Sequence, residues 1–249
     1  MAQLEPPLLT VILAAKDPPV AQFDVCIASI AALHNSFRID LIIVLSGHLP
    51  FISASCKARL HRVHIVEQAP TGVYQAYNRG LDDVCSFYVM LMGCDDILLP
   101  GLDNALDSIA GEPRPHIVAG RVLMQGVGIT GPSRLRWGLI FRNWCQQGLL
   151  YRADIFEARR FDCKYPIQAD HKLNMELVSN PLTVVRHCDD VICHFSSSGL
   201  SQTAHDWGFR EDMPRMVRKY YGLFFWLVAL TKRRLADLLK VHFRVKEIR

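Results

Sequence analysis

The sequence predicts an α/β fold with a mostly parallel central sheet flanked by helices, and three observations carry that prediction. Short apolar runs of strand length alternate with segments of helical periodicity. No hairpin signal separates the first three runs, so consecutive strands are expected to be parallel, joined by right-handed crossovers. One of the runs, Phe87 to Met92, ends in Gly93 and two adjacent carboxylates, Asp95 and Asp96. A run this short, rich in Phe, Tyr and Val, reads as a strand buried on both faces. Acidic residues just past the carboxyl end of such a strand stand where open α/β sheets bind ligands. Two hard oxygen donors there suit Mg²⁺ or Mn²⁺ bridging the phosphates of a nucleotide. A solvated turn that caps the next helix is the plainer alternative.

In chain order, Leu8 to Ala15 is the first strand, ended by Lys16-Asp17-Pro18-Pro19. Val20 to His34 is expected to be a helix, with Phe23, Ile27, Ile30 and Ala31 at helical spacing. Ile39 to Leu45 is a second buried strand, a short helix is expected around Ser53–Leu60, and Val63 to Val66 is a third strand. Thr71-Gly72 leads into a helix whose face is read as Val73, Ala76, Tyr77, Gly80, Leu81 and Val84. Asn78 and Arg79 lie off that face, and Arg79 is either a surface residue or one that approaches a pyrophosphate. A helix from about Leu102 to Ala110 follows the Asp-Asp strand.

Beyond Pro115 the pattern loosens. His116 to Met124 reads as a strand, Gly126 to Trp137 as a loop, Gly148 to Tyr151 as a short apolar stretch and Asp154 to Ala158 as helical. Ile167 to Leu177 is a helix start with Asp170 at or near its N-terminus, where an aspartate is most often a cap. Val184-Val185 and Val191 to Cys193 read as two short strands, followed by a Ser/Gly loop over 196–201.

Composition bounds the class. Half of the 249 residues are hydrophobic and 21% are charged, which suits a chain with a sizeable core. The eight cysteines form no Cys-x-x-Cys pair, so reduced, core-filling thiols in a cytosolic protein are expected. Met1 to Pro7 has neither a basic start nor an apolar segment, and no signal peptide is expected. The net charge of +4 is unevenly spread: from Arg215 onward ten Lys/Arg stand against Asp237 and Glu247. A domain over 1–213 and a basic tail over 214–249 are therefore expected. Gly222 to Leu230 is apolar but far short of the roughly 20 residues that span a bilayer. Leu235, Leu238 and Leu239 face one way while Arg233, Asp237, Lys240 and Arg244 face the other, a basic amphipathic helix suited to lying on the inner leaflet. The tail's aromatics are not interleaved with its Lys and Arg, so no nucleic acid is expected as a partner.

Five stretches, in one order, resemble a known family. Gly72-Val-Tyr-Gln-Ala-Tyr-Asn-Arg-Gly80 resembles Gly-Ile-Tyr-Asp-Ala-Met-Asn-Lys-Gly. Met90-Leu-Met-Gly-Cys-Asp-Asp96 with Pro100-Gly101 resembles a strand ending in Ser-Asp-Asp. Gln146-Gln-Gly-Leu-Leu-Tyr-Arg-Ala-Asp-Ile-Phe156 resembles His-Gln-x-x-Phe-Tyr-Arg-x-x-Leu-Phe, Ala169-Asp-His-Lys-Leu-Asn174 resembles Ala-Asp-Tyr-Asp-Leu-Asn, and Ser198-Gly-Leu-Ser201 resembles Gly-Gly-Val-Ser. Together they resemble family 2 glycosyltransferases of the GT-A (Rossmann-like) fold, in particular bacterial enzymes of exopolysaccharide, capsule and O-antigen assembly.

The resemblance covers roughly Leu8 to Gln202. It implies an inverting transfer of sugar from a nucleotide diphosphate sugar to a saccharide or lipid-linked saccharide, on the cytoplasmic side of the membrane, with Mg²⁺ or Mn²⁺. It leaves an oligomer open. By that resemblance Asp95 is the metal carboxylate with Asp96 beside it, and Asp170 the general base. Ala14, Ser46, Asn78, Arg79, Cys94 and Asp95 stand at the donor-binding positions. There are departures: Leu45 replaces an acidic residue, Gly93 replaces the first Asp of Asp-x-Asp, and Gln146 replaces a His. Leu45 favours the alternative of a catalytically silent nucleotide-sugar-binding or scaffold protein. His194 as a further metal ligand, and Trp144 and Trp207 as stacking platforms, each compete with ordinary packing.

Overall fold

The structure, a computed structural model, describes residues 5–33, 36–196 and 205–246, with the backbone alone from 232 onward. The Ser198–Ser201 stretch, His34, and the side chains of Leu235, Leu238, Leu239 and their charged neighbours lie outside what is described.

The first half of the chain alternates as its apolar runs dictate. β1 (Leu9–Lys16), α1 (Val20–Ala31), β2 (Ile39–Ser46), α2 (Ala54–Arg59), β3 (Arg62–Glu67), α3 (Val73–Leu81) and β4 (Tyr88–Gly93) follow one another. β1 pairs in parallel with both β2 and β4, and β2 with β3. Burial on both faces explains the uninterrupted hydrophobic runs. In β4, Tyr88, Met90 and Met92 enter the core layer beneath α1, while Val89 and Leu91 enter the opposite layer beneath α3.

The second half mixes directions. β5 (Ile97–Leu98), α4 (Gly101–Asp107), β6 (Ile117–Met124), β7 (Gly128–Thr130), β8 (Leu149–Arg152), α5 (Ala169–Ser179), β9 (Val185–Phe195) and α6 (Trp207–Lys246) complete the chain, with short 3-10 helices at Arg136–Ile140, Gln146–Gly148 and Ala153–Glu157. The nine-stranded sheet has the order β3-β2-β1-β4-β8-β6-β9-β5, with β7 on β6. β8 is antiparallel to both β4 and β6, whereas β9 runs parallel to β6. The two short strands expected at 184–185 and 191–193 are one strand, β9. A register shift against β6 between Ala119 and Arg121 accommodates the polar segment 187–190 that hides its continuity.

α6 runs through Pro214, with Phe209, Met216 and Val217 in the core, and is broken at Gly222. There φ is 85° and ψ −178°, a region essentially restricted to glycine. All eight cysteines are free thiols. Among the described residues no helix is long and apolar enough to cross a membrane.

One close approach sets the position of the site. A Cβ on Gly80 of α3 would lie 2.6 Å from the Ile12 Cγ2 and 3.2 Å from the Val44 Cγ2. Ile12 and Val44 are fully buried and cannot yield, so α3 lies tight against β1 and β2. Gly80→Ala is expected to destabilise the fold by about 1–3 kcal/mol, as overpacking does. Chemical denaturation checks it, and an unchanged midpoint would show that α3 can move.

Candidate active site

A cleft of about 390 Å³ opens beyond the carboxyl ends of the parallel strands. Its walls are Asp95 and Asp96 after β4, Tyr74 and Tyr77 of α3, the segment Arg142 to Gln147, the approach to α5 from Pro166 to Gln168, and Asp170. Each segment reaches the cleft by a different constraint. β4 delivers the carboxylate pair. The pairing of β8 between β4 and β6 brings the 142–147 segment alongside. Asp206 fixes the remaining wall, since one carboxylate oxygen accepts from the backbone N–H of Ile167 (3.1 Å) and Gln168 (3.2 Å) while the other accepts from Phe209 N–H (3.0 Å) at the start of α6.

The two adjacent aspartates differ in environment. Asp96 is buried and folds back on its own strand: Oδ2 accepts from Gly93 N–H at 2.9 Å, and Oδ1 from Ser196 N–H at 3.4 Å. Burial pushes its carboxyl up to about 7, opposed by the Gly93 N–H bond and reinforced by the charge of Asp95. It ties β4 to the end of β9. Asp95 is half-buried on the cleft wall. Mg²⁺ and Mn²⁺ are commonly held by one or two carboxylates plus substrate phosphates. Asp95 fits that role, with Asp96 behind it. Among the described residues no group of three or more His, Cys, Asp or Glu side chains converges on a metal position, so phosphate oxygens and water would complete the shell.

Asp170 is the second residue of α5 and is 6% exposed. The cap position, Gln168, makes no side-chain cap bond, and the Asp170 carboxylate is held from other elements instead. Tyr74 O–H lies 2.7 Å from Oδ1, and Asn143 Nδ2 donates to Oδ2 at 2.7 Å. Burial raises its pKa, and the Tyr74 and Asn143 bonds hold it down. The result is a carboxylate of raised basicity at the cleft wall.

The neighbouring His171 faces the other way, donating Nε2–H to the Leu139 carbonyl at 2.6 Å and stacking on Phe209. Burial pushes its pKa down to about 4. From the ordinary value of about 6.5, that keeps the folded state neutral, so the stabilisation is complete above pH 6.5 and is lost as pH falls toward 4, by about 3 kcal/mol. Asp96, with its raised pKa, acts in the opposite sense over the same window. The diagnostic is therefore the difference in denaturation midpoint between wild type and His171→Gln, which is expected to shrink on acidification. A constant difference from pH 7 to 4 would contradict it.

Of the residues singled out in the sequence, Asp95, Asp96 and Asp170 meet at this cleft. Ala14, Ser46, Asn78, Arg79 and Cys94 are not among its walls. Ser46 donates to the Gln68 carbonyl at 2.8 Å. Asn78 is a structural pin, exchanging two 2.9 Å bonds with the Phe161 backbone. Arg79 is exposed and pairs with Asp83 at 3.0 Å, one turn along its own helix. Leu45 is buried in the core, so its side chain offers a ligand nothing. Trp144 is buried and flanks the cleft, Trp207 is exposed beside His205, and His194 lies on β9 opposite Ile97, outside the cleft. Sequence reasoning missed Tyr74 and Asn143. Tyr74 lies inside the Gly72–Gly80 stretch, which was the available signal; nothing in the pattern around Asn143 marks it.

No protein-family model matches the chain. It is 31% identical over 169 residues to proteins of Mycobacterium tuberculosis and Mycobacterium bovis named PGL/p-HBAD biosynthesis glycosyltransferase, the match covering 63% of this chain and 64% of theirs. The match thus spans less than two thirds of those relatives' length. Among solved structures, Staphylococcus aureus TarS (residues 1–349) superposes with a TM-score of 0.62 over 86% of this chain and 64% of that one, at 12% identity. The same TarS fragment in complex with UDP gives 0.59 over 85% and 63%, and with UDP-GlcNAc 0.57 over 86% and 65%, at 12% and 11% identity. At such identity the likeness is one of fold, and it agrees with the GT-A-like architecture.

Proposed function

We propose that this chain is an inverting, cation-assisted glycosyltransferase that moves a sugar from a nucleotide diphosphate sugar to a saccharide or lipid-linked saccharide hydroxyl. The observation that carries the reading is the placement of Asp95 and Asp170 on the walls of one cleft. The names of the mycobacterial relatives and the nucleotide complexes of TarS support it.

In this reading Asp170 accepts the proton of the acceptor hydroxyl as that oxygen attacks the anomeric carbon. Tyr74 and Asn143 keep its carboxylate in place. Asp95 would hold Mg²⁺ or Mn²⁺, which would supply charge stabilisation for the departing phosphate. Asp96 keeps the Asp95 turn attached to β4. A screen of nucleotide sugars with either cation, reading hydrolysis and transfer, tests the reading. Cation-dependent donor binding without turnover on any acceptor would favour the silent binding protein, for which the buried Leu45 speaks.

The tail belongs to the same reading. After Gly222, Phe225, Trp226 and Ala229 pack against the domain, and Trp137 stacks on Phe225 at 6.0 Å. Leu223, Phe224 and Leu227 remain bare, at 59%, 70% and 50% exposure. We assign this bare face, with the ten Lys/Arg from Arg215 onward, to the cytoplasmic surface of a membrane, where the lipid-linked acceptor would be met. Full-length chain is expected to co-sediment with anionic vesicles, less so as salt rises, since each basic residue near the surface contributes about 1 kcal/mol. Phe224→Asp with Leu227→Asp, both exposed, should abolish binding without unfolding. Unchanged sedimentation of the double variant would remove the assignment.

A further inference from the structure

The hydroxyl of Tyr74 has two acceptors and one hydrogen. It lies 2.7 Å from Asp170 Oδ1 and 2.8 Å from the Ile167 carbonyl oxygen. A phenol can donate to only one of them at a time. Both contacts carry a hydrogen at once when a proton on Oδ1 points at the Tyr74 oxygen while Tyr74 turns its own hydrogen to Ile167.

The other carboxylate oxygen has no such freedom. Tyr151 O–H donates to Asn174 Oδ1 at 2.7 Å, Asn174 Nδ2 donates to Asn143 Oδ1 at 3.3 Å, and Asn143 Nδ2 is thereby turned to donate to Asp170 Oδ2. Each amide in the series has its orientation set by the one before. Oδ2 is therefore fixed as an acceptor, and Oδ1 is the atom open to protonation.

From this geometry we infer that Tyr74 is a positioning residue that switches its hydroxyl hydrogen between Asp170 Oδ1 and the Ile167 carbonyl as Asp170 changes protonation state. The inference rests on the reading of Asp170 as the base. When the carboxylate is ionised, Tyr74 donates to it. When the acceptor hydroxyl attacks, its O–H bond breaks, the new bond to the anomeric carbon forms, and the leaving diphosphate keeps the electron pair of the broken C–O bond. The released proton goes to Oδ1. A protonated Oδ1 is a poor acceptor, so the Tyr74 hydrogen swings to Ile167 and the phenol oxygen accepts from Oδ1. No buried donor is left unpaired in either state, and no net charge moves onto Tyr74. The proton leaves Oδ1 to water after product departs.

Apart from Asp96, whose carboxyl burial pushes up to about 7 on the far wall beside β4, the surroundings leave Asp170 as the group that changes. From α3 it is faced by Tyr74 and Tyr77, from β8 by Tyr151, and from the cleft segment by Cys145. Burial raises all four, Cys145 to about 12 and the tyrosines well above their usual range, so they stay neutral near pH 7. Arg142 lines the same cleft at its exposed rim, and Asp95 and Asp96 line it from the β4 side. His171 is turned away to Leu139.

The test is the titration of Asp170 itself in the full chain, by carbon-13 NMR of labelled aspartate carboxyls, with Asp170→Asn identifying the signal. Tyr74→Phe removes one of the two side-chain bonds to the ionised form, and is expected to raise the Asp170 midpoint by about 1 pH unit. Difluorotyrosine at position 74, a stronger donor, is expected to lower it, and serves if the phenylalanine variant does not fold. Where transfer is measured, the acid limb of the kcat profile should move with the midpoint while donor KM stays constant. A midpoint unmoved by either change overturns the inference. The expected shift in a chain that transfers no sugar supports the coupling and overturns only the transferase reading.

Discussion

Asp170→Asn is expected to lower sugar transfer by roughly 10²–10⁴-fold, the scale of losing a general base, with nucleoside diphosphate affinity unchanged. The substitution is close to isosteric, and the surrounding bonds accommodate it. Asn143 still donates to the amide oxygen, while the new amide nitrogen donates to Tyr74, which donates to Ile167. A buried carboxylate whose pKa is raised by desolvation is replaced by a neutral group, so thermal stability should hold or rise. That pairing of lost turnover with retained stability separates a base from a structural residue. Initial rates, calorimetry of donor binding and a melting curve check it together. Transfer near the wild-type rate would reduce Asp170 to a part of the cleft wall.

Asp95→Asn is expected to remove the cation-dependent part of nucleoside diphosphate binding and to lower transfer by roughly 10²–10³-fold, the scale of losing one electrostatic contact to a developing charge. The effect should fall on Asp95 rather than Asp96. Asp96 already spends both carboxylate oxygens on the backbone N–H groups of Gly93 and Ser196, so its substitution should show mainly as lost stability. Calorimetry of nucleoside diphosphate with and without Mn²⁺ distinguishes them. Retention of the cation effect in Asp95→Asn, with loss in Asp96→Asn, would reverse the assignment.

β1, β2 and β4 were legible because burial on both faces leaves an unbroken apolar run. α1 was legible because Phe23, Ile27, Ile30 and Ala31 form its buried stripe. The stretches around Asp95 and Asp170 single out two carboxylates that line one cleft. What failed had physical causes. Helical spacing places Val73 on the inner face of α3, but its first turn faces the start of α5 rather than the sheet, so Tyr74 is buried and Val73 is not. Asn78 and Arg79 follow the motif order yet lie beyond the cleft, because α3 carries them away from it and Asn78 is held by Phe161. The 142–147 segment has no periodicity of its own. Its place depends on β8 inserting between β4 and β6, a long-range pairing that no local pattern encodes.

The single-residue elbow at Gly222 has a mechanical meaning. Beyond it the helix continues to Lys246, a lever about 36 Å long whose direction is set at its root by a pair of dihedrals that glycine alone adopts comfortably and by the packing of Phe225, Trp226 and Ala229 on the domain. A Cβ there would meet nothing within 4 Å, so a substitution would not fail for lack of room. It would act through the backbone, at a cost of about 1–3 kcal/mol in the bent form, and would favour helix continuing unbroken across position 222. One codon thus separates a jointed arm from a rigid one. Such a substitution would re-aim the tail while the cleft and the sheet beneath it stay as they are.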